Sequence, residues 1–248
     1  MNRLDAELHR LYLPAVGDGA PTALVAPGGR VRALVLELVR PASWSDLAAV
    51  WQGVQADLDL PAPAIAVSGR DGWQLWFSLI EPIAPDTAFA FLQALRTRYL
   101  AGVPPERIRM HPSPAPSATV RVRHLEAAPP VEVAPERWSA FVSADLAPLF
   151  ADEPWLDHPP GVDAQADLLA RLASIGPEHF LRASALLRPV GSAAATAEGR
   201  TTPAVPKPAD EASEPEAFLL AVMRDASVDL RLRIEAAKAL LRSDAKAG

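Results

Sequence analysis

The chain has 248 residues, half of them hydrophobic, and a formal net charge of −6. That length can bury a sizeable core in one or two domains. The acidic total argues against indiscriminate nucleic-acid binding while leaving room for a local basic face. Cysteine is absent, which excludes disulfides, thiolate metal sites and cysteine nucleophiles.

Leu4, Leu8 and Leu11 recur at helical spacing and predict a short helix over 2–13. This charged, amphipathic stretch lacks the apolar centre of a signal peptide. No run approaches the roughly 20 apolar residues of a membrane helix. A cytoplasmic protein with no membrane partner is expected. Pro27-Gly28-Gly29 is a turn signal before a strand, Val31–Val39. Ser43 is an N-cap for a helix from Trp44 to about Leu58, with Leu47, Val50, Trp51 and Val54 on one face. Ala64–Ser68 and Trp73–Leu79 flank Gly69-Arg70-Asp71-Gly72, a β-hairpin pattern. Asp86–Leu100 predicts a second helix, and Arg107–His111 and Val120–His124 two short strands.

From 31 to 111 the order is β-α-β-β-α-β, so the expected class is α+β with a ferredoxin-like, RRM-like core and flanking strands. That core is expected over 1–135. Residues 136–188 read as a helical extension, with Leu168, Leu169, Leu172 and Ile175 packing one of its helices. Residues 189–214 have the composition of a flexible linker. Ser213-Glu214-Pro215-Glu216 has capping-box spacing and opens an expected C-terminal helix pair over 215–248.

Strand alternation separates two sheet faces. Leu34, Leu36, Leu38, Trp73, Leu75 and Phe77 belong to the face under the helices. The opposite face, expected to be open, collects Glu37, Ser68, Gln74, Trp76 and Ser78. Arg107, Arg109 and His111 share one side of their strand, and Arg121 and Arg123 one side of theirs. Arginine forks suit phosphate, and Trp76 could stack on a base. The competing readings are a solvated edge for the arginines, burial for Trp76 and an ion pair for Glu37. No histidine pair has metal-ligand spacing, and no P-loop, Rossmann fingerprint or GxSxG is present.

An acid-bearing strand, a helix, then Ser68-Gly69-Arg70-Asp71-Gly72 opening into a polar-aromatic strand resembles the archaeo-eukaryotic primases and primase-polymerases over roughly residues 20–125. The resemblance implies two metal-binding acids on the first strand, a phosphate-contacting histidine on the hairpin strand and a third acid later. Glu37 stands at the first acid, but Val39 occupies the second position and Gln74 the histidine's. Two-metal chemistry needs carboxylates to hold hard cations. The resemblance therefore implies a degenerate site with no cofactor, Glu37 being the catalytic residue and Mg²⁺ the metal only if activity survives. Ser68, Gln74, Trp76, Arg107, Arg109, His111, Arg121 and Arg123 are the candidate contacts to single-stranded nucleic acid or nucleotide.

Pro215 to Asp225, with Arg231, Arg233, Ile234 and Lys238 beyond it, looks like a segment of phage terminase small-subunit-like proteins. The expected role is a non-catalytic accessory protein of nucleic-acid or phage and plasmid replication. The rival readings are a protein-interaction module, with a partner docked through the C-terminal helix pair, and a weak nucleotidyltransferase.

Overall fold

The computed structural model describes residues 2–14, 24–26, 28–41, 44–114 and 123–188. All belong to the first of two units into which the chain divides, 1–193 and 194–248. The expected linker, the C-terminal helix pair, the Ser43 cap and Arg121 lie outside the described residues.

Within the described residues the protein is α+β, with a five-stranded antiparallel sheet and five helices. In chain order these are α1 (Arg3–Leu11), β1 (Val31–Val39), α2 (Trp44–Ala56), β2 (Ala64–Val67), β3 (Gly72–Ile83), α3 (Pro85–Tyr99) and β4 (Ile108–His111). A small hairpin, β5 (Glu132–Ala134) and β6 (Arg137–Trp138), precedes β7 (Ala140–Val142), α4 (Val162–Ala170) and α5 (Pro177–Leu187). The large sheet runs β4-β1-β3-β2-β7.

Alternation along the strands builds two cores, one on each face. Leu34, Leu36 and Leu38 join Val67, Trp73, Leu75 and Phe77 beneath Leu47, Val50 and Val54 of α2 and Phe91, Leu92 and Leu95 of α3, with Phe180 and Ala183 of α5 beside them. Ala33, Val35, Ala64, Ala66 and Trp76 point the other way and meet Leu4, Leu11, Tyr12, Phe141, Ala166 and Leu169. The face expected to be open is therefore covered over much of its area. A strand buried on both sides is apolar at nearly every position, as β1 is.

The covering layer rests on contacts between distant residues. Asn2 and Asp5 form a reciprocal capping box that starts α1. At its other end Arg32 of β1 donates to the carbonyls of Arg10 (2.9 Å) and Leu13 (3.2 Å), and also to that of Leu79 (3.0 Å). Arg10 in turn donates to Leu169 (2.8 Å) and Leu172 (3.0 Å), two carbonyls at the end of α4. Two guanidiniums thus add hydrogen bonds to carbonyls at the ends of α1 and α4. Tyr12, Trp76 and Phe141 fill the space beneath, with ring centroids 5.3 to 6.1 Å apart.

Residues 136–188 open with strands rather than with the expected helices. β7 adds to the edge of β2, Ala66 opposite Phe141. Its outer edge is then closed by one side chain. Gln165 of α4 accepts from the Phe141 N–H (2.8 Å) and donates to the Phe141 carbonyl (2.9 Å), acting as the next strand would. Gln165→Leu should leave both Phe141 groups buried and unpaired, and urea unfolding should record a loss of about 2–4 kcal/mol.

Candidate functional site

Strand register brings the polar residues together. Arg109 of β4, Glu37 of β1, Gln74 of β3 and Ala66 of β2 lie opposite one another in a single row, and His111, Val35, Trp76 and Ala64 form the next. Directly opposed residues share a face. Both rows therefore lie on the sheet face that carries the second core, toward its β4 side. There α1 and α4 give way to a cavity of about 470 Å³. Glu37, Gln74, Trp76, Arg109 and His111 line it from the sheet, and Ser68 and Arg70 from the β2–β3 hairpin. Residues 124–127, 129 and 131–133, with Ser139, supply the opposite wall.

A continuous polar chain crosses the floor. The Trp76 indole N–H donates to Gln74 Oε1 at 2.8 Å, which turns the Gln74 amide nitrogen toward Glu37 Oε1 at 3.4 Å. The other Glu37 oxygen lies 3.7 Å from Arg109 Nη1 and 3.8 Å from His111 Nε2. Arg109 also grips Asp71 with two nitrogens, at 3.3 and 3.2 Å. The Glu37 side chain is 6% exposed, whereas Arg109 is 47% exposed and reaches the mouth.

The hairpin tip is shaped by its small residues. Ser68 Oγ accepts from the backbone N–H groups of Arg70, Asp71 and Gly72, so it organises the turn. Gly69 has φ +78°, and a Cβ there would lie 2.6 Å from Val133 Cγ2 and 2.8 Å from the Ser139 nitrogen. Glycine thus lets the hairpin lie against the opposite wall. A Cβ on Gly72 would strike the Leu38 carbonyl of β1.

Two histidines stand side by side with ring centroids 6.2 Å apart. The Leu125 N–H donates to His124 Nδ1 at 2.8 Å, so the ring proton sits on Nε2 and donates to the Ala33 carbonyl at 3.0 Å. Burial drives the His124 pKa down to about 4, with His111 pushing the same way against its backbone hydrogen bonds. His111 differs: neither ring nitrogen has a hydrogen-bond partner among the described residues.

Of the sequence candidates, Glu37, Ser68, Gln74, Trp76, Arg109 and His111 converge on the cavity. Trp76 is only 1% exposed and its indole N–H is taken, so it is a floor residue rather than a stacking platform. Arg107 lies in a 3₁₀ turn ahead of β4 and is not in the lining. Arg123 is exposed, also away from the lining, and its backbone bridges to Ser113. The expected strand over 120–124 is described only at its last two residues, where this bridge stands. Arg70, His124, Glu126, Glu132 and Ser139 were not singled out by the sequence. Only the glycines around Arg70 marked a place where another segment could approach closely.

The Mg²⁺ implied by the primase resemblance does not suit this donor set. Val39 offers no ligand, and the Arg109 guanidinium sits 3.7 Å from the Glu37 oxygen a cation would need. Among the described residues no group of three or more His, Asp or Glu side chains is arranged to hold a metal. No protein-family model matches the chain, and no curated protein matches its sequence.

His124 gives the site a pH signature. The folded protein keeps it neutral down to about pH 4, whereas the unfolded chain protonates near 6.5. Between these values the unfolded state binds the extra proton, so stability falls as pH drops, by about 3 kcal/mol in total. Urea unfolding between pH 7 and 4 should show this slope, and His124→Gln should flatten it.

Proposed function

We propose that this chain binds a phosphate-bearing nucleotide, free or as part of a single strand, in the cavity over β1, β3 and β4, and performs no chemistry on it. The carrying observation is the row Arg109–Glu37–Gln74, with His111 beside it, at the floor of an accessible cavity. Arg109 and exposed Arg70 are its cationic groups.

The reading of the core as ferredoxin-like and of primase descent is part of this proposal. It is supported by the strand order β4-β1-β3-β2 with α2 and α3 on one face. The replaced acid and histidine at Val39 and Gln74 favour binding over catalysis. An accessory role in phage or plasmid replication rests on the resemblance of residues 215–238.

Charge further narrows the ligand. The lining sets two arginines against Glu37, Glu126 and Glu132, which is a poor groove for a long polyanion. Affinity then comes from one or two specifically held phosphates, and the logarithm of affinity should fall with that of salt at a slope of about −1.

Fluorescence anisotropy with short labelled single strands, and calorimetry with nucleoside monophosphates, test this. Arg70→Ala and Arg109→Ala should each weaken binding about tenfold, the scale of a charged hydrogen bond. Arg123→Ala, outside the cavity, should leave it unchanged. Affinity insensitive to both cavity variants defeats the assignment.

A further inference from the structure

The Glu37 carboxylate has fewer donors than its burial demands. A carboxylate presents about four lone-pair positions, and one this deeply buried is normally hydrogen-bonded. Within the described residues it receives one long bond, from Gln74 at 3.4 Å to Oε1. Among the described residues Oε2 has none: Arg109 and His111 stand at 3.7 and 3.8 Å, beyond hydrogen-bond reach. Gln74 is held by the Trp76 indole, and Arg109 is drawn outward by Asp71.

This acceptor lines the cavity, so a ligand group can complete it. A metal ion there would meet the Arg109 guanidinium, and an anion would meet the carboxylate itself. A neutral donor suits both neighbours. Because Oε2 lies within 4 Å of Arg109, which holds the phosphate in the reading above, the donor must sit beside that phosphate. A hydroxyl on the carbon next to the phosphate-bearing one meets this condition. The edge of a base, a sugar's width away, does not.

We propose that Glu37 accepts a hydrogen bond from a hydroxyl vicinal to the bound phosphate, so that the cavity selects ribonucleotides over deoxyribonucleotides. The 2′-hydroxyl beside a 3′-phosphate has this arrangement, and deoxyribose lacks it. The inference rests on the phosphate-binding reading and adds the sugar to it.

The test compares RNA and DNA tetranucleotides of the same A and C sequence by anisotropy, and ribo- and deoxyribonucleoside 3′-monophosphates by calorimetry. Native protein should prefer the ribo form by about tenfold to a hundredfold, the worth of one hydrogen bond to a charged acceptor. In Glu37→Ala the preference should fall to about one because the ribo form loses more affinity than the deoxy form; a purely structural role would weaken both ligands together. Glu37→Gln, closer in shape, should lower the preference by about half its logarithm or more, because the acceptor loses its charge. Preference in the monophosphates alone assigns the source to free ribonucleotide, and preference in the tetranucleotides to a strand. Equal RNA and DNA binding that still depends on Arg70 and Arg109 overturns the hydroxyl inference and spares the phosphate site. A ribo preference untouched by both Glu37 variants overturns the role of Glu37. Absence of binding by every probe overturns both readings.

Discussion

A single carboxylate in the middle of the central strand constrains much of this structure. Glu37 is the one buried charged residue of β1, and it faces the second layer. A buried charge requires compensation, and the neighbours opposite it across the sheet are Gln74 and Arg109. Gln74 needs an orienting partner in turn, and Trp76 supplies it. The polar row is thus a chain of dependencies. It cannot be roofed by apolar side chains as the rest of the face is, so the cavity lies where α1 and α4 stop.

The remainder of the face shows the opposite solution. Val35, Ala33, Ala64 and Ala66 are small or β-branched, and Tyr12, Trp76 and Phe141 fill the volume above them. Arg32 and Arg10 lie at the rim, where their guanidiniums bond helix-end carbonyls instead of competing for the core. Gln165 does the same for the edge of β7. Arg32, Arg10 and Gln165 enter this layer by completing backbone hydrogen bonding, and Glu37 and Gln74 stand apart because, among the described residues, side chains rather than backbone groups meet theirs.

Much of this was legible in the chain. The strands at Val31–Val39 and Ala64–Val67, and the helices over Trp44–Ala56 and Pro85–Tyr99, follow from periodicity and proline or glycine punctuation. The division of β1 and β3 into two faces follows from alternation alone. The grouping of Glu37, Gln74, Arg109 and His111 follows from placing those strands side by side. What was not legible was the second layer. Leu4, Leu11 and Tyr12 mark an amphipathic helix without saying which surface it covers, and a three-residue strand such as Ala140–Val142 carries too little pattern to announce its partner.

By itself the sequence determined the local elements, the faces of the central strands and the presence of one unmatched acid among apolar neighbours, because these depend on backbone period and side-chain type. Tertiary structure decided which face was covered, how far the cover reached and which arginines met the carboxylate. Those outcomes depend on contacts between residues 70 or more positions apart, such as Arg10 with Leu169 and Ser68–Gly69 with the wall near Ser139. The energy of such contacts comes from chain segments brought together, and no local pattern encodes which segments those are.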